Sequence, residues 1–386
     1  MLCPSGPVSR PSAPNAPTRR ASAPRSLAAP DVARDPYPLY RTLRDKHPLL
    51  HDEPFGAWLL SRYVDVQTAL SDPRLAAHPE GAGPTAHPAL ASREVQGRVR
   101  AALKAGAERT AYVLARRLAG RREAELVTEF CHWLPAAAVV AALGLPHEDT
   151  ARVTDRCRTG PDRPDAVLAA FLRPHVVRRR AHPRDDLLSV LCAARADGRP
   201  LPEETVTALV ADLLTGAGEA TDRALASLLA NLLDHPAQLA LVRAAPALAD
   251  AAWAESRRHA PAAHIVLRRA RVPVVVGGGT VPAGATVACL VGSAGRDAGR
   301  FADPDRYDLF RAAPGRAGSC GPAPGPQVLD TGQWHGLGVD LARVTAVHGL
   351  RALLDALPGL AWAPGFRPVP EGLLTRSPAA LHVRLR

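Results

Sequence analysis

Glu255 and Arg258 stand three residues apart, a spacing that puts a carboxylate and a guanidinium on one helix face, where they can form a fork. Alone, such a pair is most often a surface ion pair of small energetic weight. A second chemical feature is the run Gly216-Ala217-Gly218-Glu219-Ala220-Thr221, which sets a carboxylate and a hydroxyl beside two glycines. Glycines in the middle of a helical pattern weaken or bend it, usually for a packing or ligand reason. The 6 cysteines are Cys3, Cys131, Cys157, Cys192, Cys289 and Cys320. None lies within four residues of another, so no zinc knuckle or redox pair is spelled out. Each reads as a small buried hydrophobe, with the chemistry of a lone thiolate ligand open to any of them.

The elements that must hold these residues are mostly helices. Residues 1–30 carry prolines among Ser, Ala and Arg without apolar periodicity, and read as a disordered leader. Residues 31–386 then form one body. Helices are predicted from Asp35, over Tyr63 to Leu70, Ala111 to Leu118 and Phe130 to Leu143, with a strand at Ala57 to Leu60 and a loop over residues 78–91. The stretch from Pro202 to Pro236 has no internal proline and predicts one helix of roughly 48 Å crossing the core. After Ala263 the pattern turns β-like, at Val272 to Val276, Thr280-Val281 and Thr286 to Val291. Residues 311–333 are Gly/Pro-rich and irregular, and a last helix runs from Leu337 to Leu357.

Composition narrows the function classes. The 386 residues are 47% hydrophobic and 22% charged, with a net charge of +11. The positive excess is nearly all arginine spread along the chain, with Arg178-Arg179-Arg180 its one short cluster, which argues against a nucleic-acid footprint. No run of about 18 apolar residues exists, so no membrane span is expected and the default compartment is the cytoplasm.

Taken in order, the motifs resemble those of the cytochrome P-450 superfamily, and imply a mainly α fold with a small β region. Gly216 to Thr221 is similar to the family's oxygen-binding segment, Ala-Gly-x-Asp/Glu-Thr-Thr. Glu255-Ser256-Arg257-Arg258 fits Glu-x-x-Arg, and Phe301 to Asp308 resembles the meander, whose arginine, taken as Arg306, joins that pair in a structural cluster. Arg268-Arg269-Ala270 through Gly284 resembles the family's strand pair, and Leu337-Gly338-Val339-Asp340-Leu341-Ala342-Arg343 the helix that follows the haem cysteine.

Three departures bear on function. The resemblance places the haem-ligating cysteine at Gly336, which has no side chain to offer a metal. The first threonine of the oxygen-binding pair is Ala220, which cannot relay a proton, while Glu219 and Thr221 remain. The family's propionate-binding His is Trp334, leaving Arg98 and Arg268 as the residual cofactor contacts. The resemblance to haem-free homologues in actinomycete antibiotic pathways implies no cofactor, no metal, no catalytic residues, and a role as partner and activator of a deoxysugar glycosyltransferase. The alternative implied by the same resemblance is a haem-dependent monooxygenase with a displaced ligand, Cys320 or His335.

Overall fold

The computed structural model describes residues 24–77, 93–159, 166–216, 219–311 and 337–386. The helices before the chain centre are α1 (Pro30–Arg34), α2 (Tyr37–Lys46), α3 (Tyr63–Ser71), α4 (Arg93–Leu118), α5 (Leu134–Ala142), α6 (Asp149–Thr159), α7 (Ala166–Ala181) and α8 (Leu187–Ala193). They are followed by α9 (Glu203–Gly216), α10 (Glu219–Asp234), α11 (Pro236–Ala244), α12 (Ala249–His259), α13 (Val291–Ala294) and α14 (Leu337–Ala356).

The strands of the N-terminal half are β1 (Leu49–Asp52), β2 (Ala57–Leu60), β3 (Leu75–Ala77), β4 (Glu123–Glu125), β5 (Arg195–Ala196) and β6 (Arg199–Pro200). Those of the C-terminal half are β7 (Ile265–Ala270), β8 (Val274–Val276), β9 (Gly279–Val281), β10 (Thr286–Leu290), β11 (Ala361–Trp362), β12 (Pro370–Glu371), β13 (Ser377–Pro378) and β14 (His382–Arg384). The largest sheet has the order β1-β2-β10-β7-β3. Its centre is a parallel pairing of β10 with β2, set by Ala288 opposite Leu59, and the other ladders are antiparallel.

Two apolar cores divide the helical body. One gathers Leu114 and Leu118 of α4, Leu225, Leu229 and Leu232 of α10, Trp253 of α12, and Leu350 and Leu353 of α14. The other joins the first half of α4 to α5, α7, α8 and α9 through Leu103, Val139, Leu172, Leu188 and Val210. Gly106 lets α4 and α5 approach: a Cβ there would stand 2.5 Å from the Ala138 carbonyl oxygen, closer than any real contact. A third core lies under the sheet, where Val66 and Leu70 of α3 meet Val266, Val287 and Cys289.

Between Pro202 and Pro236, where a single helix is expected, α9 runs to Gly216 and α10 from Glu219, and residues 217–218 between them lie outside the described residues. The ordered body also begins before residue 31. Leu27 is buried and its N–H donates to Asp52 Oδ2 at 2.7 Å, while Ser26 Oγ donates to Oδ1 at 2.6 Å. The loop expected over residues 78–91 lies outside the described residues. Phe130, expected to open a helix, sits in a π-helical turn over Val127–Cys131, and the α-helix starts at Leu134.

Candidate functional site

The Glu255–Arg258 fork forms at the end of α12, where both residues fall on the buried face. Arg258 is 1% exposed and Glu255 6%. Arg258 Nε donates to Glu255 Oε2 at 2.8 Å, and its Nη2 donates to Oε1 at 2.7 Å. A guanidinium has five N–H donors and cannot shed its charge, so burial demands that the remaining donors be met. The carbonyls of Gly295, Pro304 and Arg306 meet them at 2.7, 2.7 and 2.9 Å.

The third cation is Arg311, a correction to the expected Arg306. Arg311 Nε donates to Glu255 Oε1 at 3.2 Å, and its Nη2 donates to the Arg306 carbonyl at 2.6 Å. The side chain of Arg306 is exposed, and only its backbone takes part. The reason is the turn made by Asp303, whose left-handed φ of 44° accompanies a hydrogen bond from Arg306 N–H to the Asp303 carbonyl. Asp308 N–H also donates to Glu255 Oε1, at 2.9 Å. Nearby Tyr307 is buried, its hydroxyl within 3.0 Å of Ser256 Oγ and donating to the Ala252 carbonyl at 3.2 Å. Arg311 ends the meander and has no spacing partner in the sequence, which is why periodicity did not find it.

The two residues named as cofactor contacts part company. Arg268, in the middle of β7, is 2% exposed, and burial lowers its pKa from the ordinary arginine value, with the nearby Cys289 working the other way. Arg98 lies on the exposed side of α4. Glu219 and Ala220 begin α10, and Thr221 beside them is buried. Gly336, Cys320 and His335 lie outside the described residues. Among the described residues no group of three or more His, Cys, Asp or Glu side chains could hold a metal ion.

On the face of α10 carrying Asp222 and Arg223 lies a polar cavity of about 240 Å³, lined also by His132, Glu371 and Ser377. Asp222 is 5% exposed, and its Oδ2 stands 3.7 Å from His132 Nε2, an electrostatic contact too long for a hydrogen bond. Sequence reading passed over this cavity because its walls come from three separate stretches of chain.

A mainly helical body, a small mixed sheet and a buried Glu–Arg–Arg cluster define the cytochrome P-450 architecture. No protein-family model matches the chain. It is 32% identical to cytochrome P-450 SU2 of Streptomyces griseolus over 82% of this chain and 84% of that protein. It is 31% identical to nocardicin C N-oxygenase of Nocardia uniformis subsp. tsuyamanensis over 91% and 96%. Among solved structures, the open form of cytochrome P-450 EryK from S. erythraea superposes with a TM-score of 0.74 at 26% identity, covering 94% of this chain and 98% of that one. The chain belongs to the cytochrome P-450 family.

That membership overturns the expectation that no cofactor is bound. The relatives are cytochromes P-450, which work through haem, so haem is the group expected here. The expectation of none rested on the departures at Gly336, Ala220 and Trp334, and gave these positions more weight than the whole fold. The residues themselves fit haem on one side only. Arg268 is a buried guanidinium of the kind that meets a haem carboxylate, whereas Gly336 supplies no donor to iron. No reaction step follows from these residues. As for the membrane, no single helix among the described residues is long and apolar enough to cross one.

Proposed function

We propose that this protein is a haem-binding cytochrome P-450 oxidoreductase of secondary metabolism, with iron held by a residue other than that at position 336. The observation that carries the reading is Arg268, kept as a buried guanidinium on β7 at the position the resemblance assigns to a haem propionate contact. Burying an arginine is costly unless an anion or full hydrogen bonding repays it, and a haem carboxylate is an anion of the kind that does so. Relatives named as an N-oxygenase and an epoxidase support an oxidative role on a small molecule. Cys320 and His335 are the candidate ligands; a thiolate pushes electron density onto iron, an imidazole less so.

The test is the absorbance of protein expressed with ample haem, followed by the reduced carbon-monoxide spectrum. Stoichiometric haem lost in Cys320→Ser or in His335→Ala identifies the ligand. A colourless protein contradicts the proposal.

One pair of observations favours a second reading. Gly336 and Ala220 remove both the usual axial ligand and the usual relay hydroxyl, as expected of a chain retained for association with a glycosyltransferase of its pathway. Co-elution with that transferase, and a rise in sugar transfer when the two are mixed, would support it. A transferase fully active alone would remove it.

A further inference from the structure

We propose that the polar cavity between α10, the π-helical turn and the C-terminal hairpin is a binding site for a small zwitterion of amino-acid size. The ammonium of the guest rests against Asp222 and Glu371, and its carboxylate against Arg223. Three stretches of chain build the site, and each is shaped locally to do so. The first is the turn Val127–Cys131, where His132 N–H donates to the Val127 carbonyl at 2.9 Å across a five-residue step. Such π turns are rare and recur at functional sites. Here both ends of that hydrogen bond, Val127 and His132, line the cavity. Glu125 fixes the start of the turn by accepting from Val127 N and Thr128 N at 2.9 and 2.8 Å. The second stretch is one face of α10, where Asp222, Arg223 and Ala226 stand at helical spacing.

The third is the hairpin of β12 and β13, in which Glu371 is the direct partner of Ser377. Residues opposite each other in an antiparallel pair project from one face, and both of these line the cavity. Gly372 lets the hairpin turn close to α10. Its φ is 91°, and a Cβ there would stand 2.0 Å from the Thr375 carbonyl oxygen and 3.7 Å from Arg223 Nη1. Arg376 pins the turn by donating to the carbonyls of Gly372 and Ala33 at 3.1 and 2.8 Å. The walls are held before any guest arrives, which lowers the cost of binding.

The lining selects the guest. At about 240 Å³ the cavity is smaller than sites for drug-sized ligands, which run to about 300–1,000 Å³. Asp222 is buried, so its charge acts at reduced dielectric, while Glu371 is exposed at the rim. Arg223 offers the planar fork that matches a carboxylate. A guest with negative charge alone would face Asp222 and Glu371, and one with positive charge alone would face Arg223. A molecule carrying both charges meets each wall with its opposite. Ala226, Pro378 and Ala379 leave a small apolar wall for a short side chain. Arg268, on which the haem reading rests, is not among the walls, so the two proposals stand or fall separately.

The experiment is titration of the whole protein at neutral pH, followed by ligand-observed NMR, with L-valine, L-valinamide and 3-methylbutanoate. The three share a carbon skeleton and carry both charges, the ammonium alone and the carboxylate alone. Wild type should bind L-valine about tenfold more tightly than either of the others, the strength of one partly buried ion pair. Asp222→Asn should weaken L-valine and L-valinamide about tenfold and leave 3-methylbutanoate unchanged. Arg223→Gln should weaken L-valine and 3-methylbutanoate and leave L-valinamide unchanged. Glu371 is exposed, so Glu371→Gln leaves the core intact, and it should weaken L-valine about threefold; it decides the matter if Asp222→Asn does not fold. No binding of L-valine at millimolar concentration, as for a cavity that holds water alone, would overturn the proposal. So would equal binding of the three molecules, or a preference for L-valine unchanged by Glu371→Gln and by Asp222→Asn.

Discussion

Replacing Arg311 by alanine should destabilise the protein far more than the same change at Arg306. The Arg311 side chain is 11% exposed and donates to Glu255, Arg306, Asp303 and Ala302. Removing one member of a buried charged cluster costs about 3–5 kcal/mol. Arg311→Ala should fall near the low end, about 3 kcal/mol, because Arg258 still neutralises the carboxylate. Glu255→Ala should reach the high end, about 5 kcal/mol, because it leaves two buried guanidiniums without their anion. Arg306 contributes its carbonyl, which alanine keeps, so Arg306→Ala should lie within about 0.5 kcal/mol of wild type. Urea unfolding followed by far-UV circular dichroism reads the difference: with a slope of ~3 kcal/mol/M, Arg311→Ala shifts the midpoint by about 1 M. Equal losses for Arg306→Ala and Arg311→Ala would refute the assignment of the third cation.

Three other outcomes follow from buried groups. His259 and His264 are held neutral chiefly by burial, each with a pKa lowered to about 3. The unfolded chain takes up protons near pH 6.5 and the folded one does not, so stability is complete above that pH and falls as the solution is acidified. Each site contributes about 1.4 kcal/mol per pH unit between the two values, and His264→Gln should remove its share of the slope in urea midpoints measured from pH 7 to 5. Gly292→Ala should cost about 1–3 kcal/mol, because its Cβ would strike the His264 ring, and much of that loss should vanish when His264→Ala is added, as read by thermal unfolding. Glu125 accepts from Val127 N, Thr128 N, Thr128 Oγ1 and Leu381 N at 2.6 to 2.9 Å, and tying β4 to the C-terminal strand in this way should make Glu125→Ala lose about 2–4 kcal/mol of stability in the same assay.

Much of the helical body was legible because its helices end at punctuating residues. Pro202, Pro236 and Pro358 bracket elements whose apolar spacing is plain, and α14 runs almost as its pattern predicts. The Glu255–Arg258 fork was legible because helical spacing alone puts both residues on one face. Arg311 was not, since in an irregular segment the backbone turn at Asp303, rather than any period, decides which arginine points inward. The cofactor was misjudged for a different reason. Gly336 states what one position cannot do, while the retention of Arg268 in the sheet depends on tertiary burial that the sequence does not display.

The most direct test of the central claim is the haem content of the purified protein, measured as pyridine haemochromogen against protein concentration. One haem per chain, with a spectrum altered in Cys320→Ser or His335→Ala and weakened binding in Arg268→Ala, is the result expected. Protein that stays colourless after expression with ample haem, and gains no absorbance when haem is added back, would contradict it.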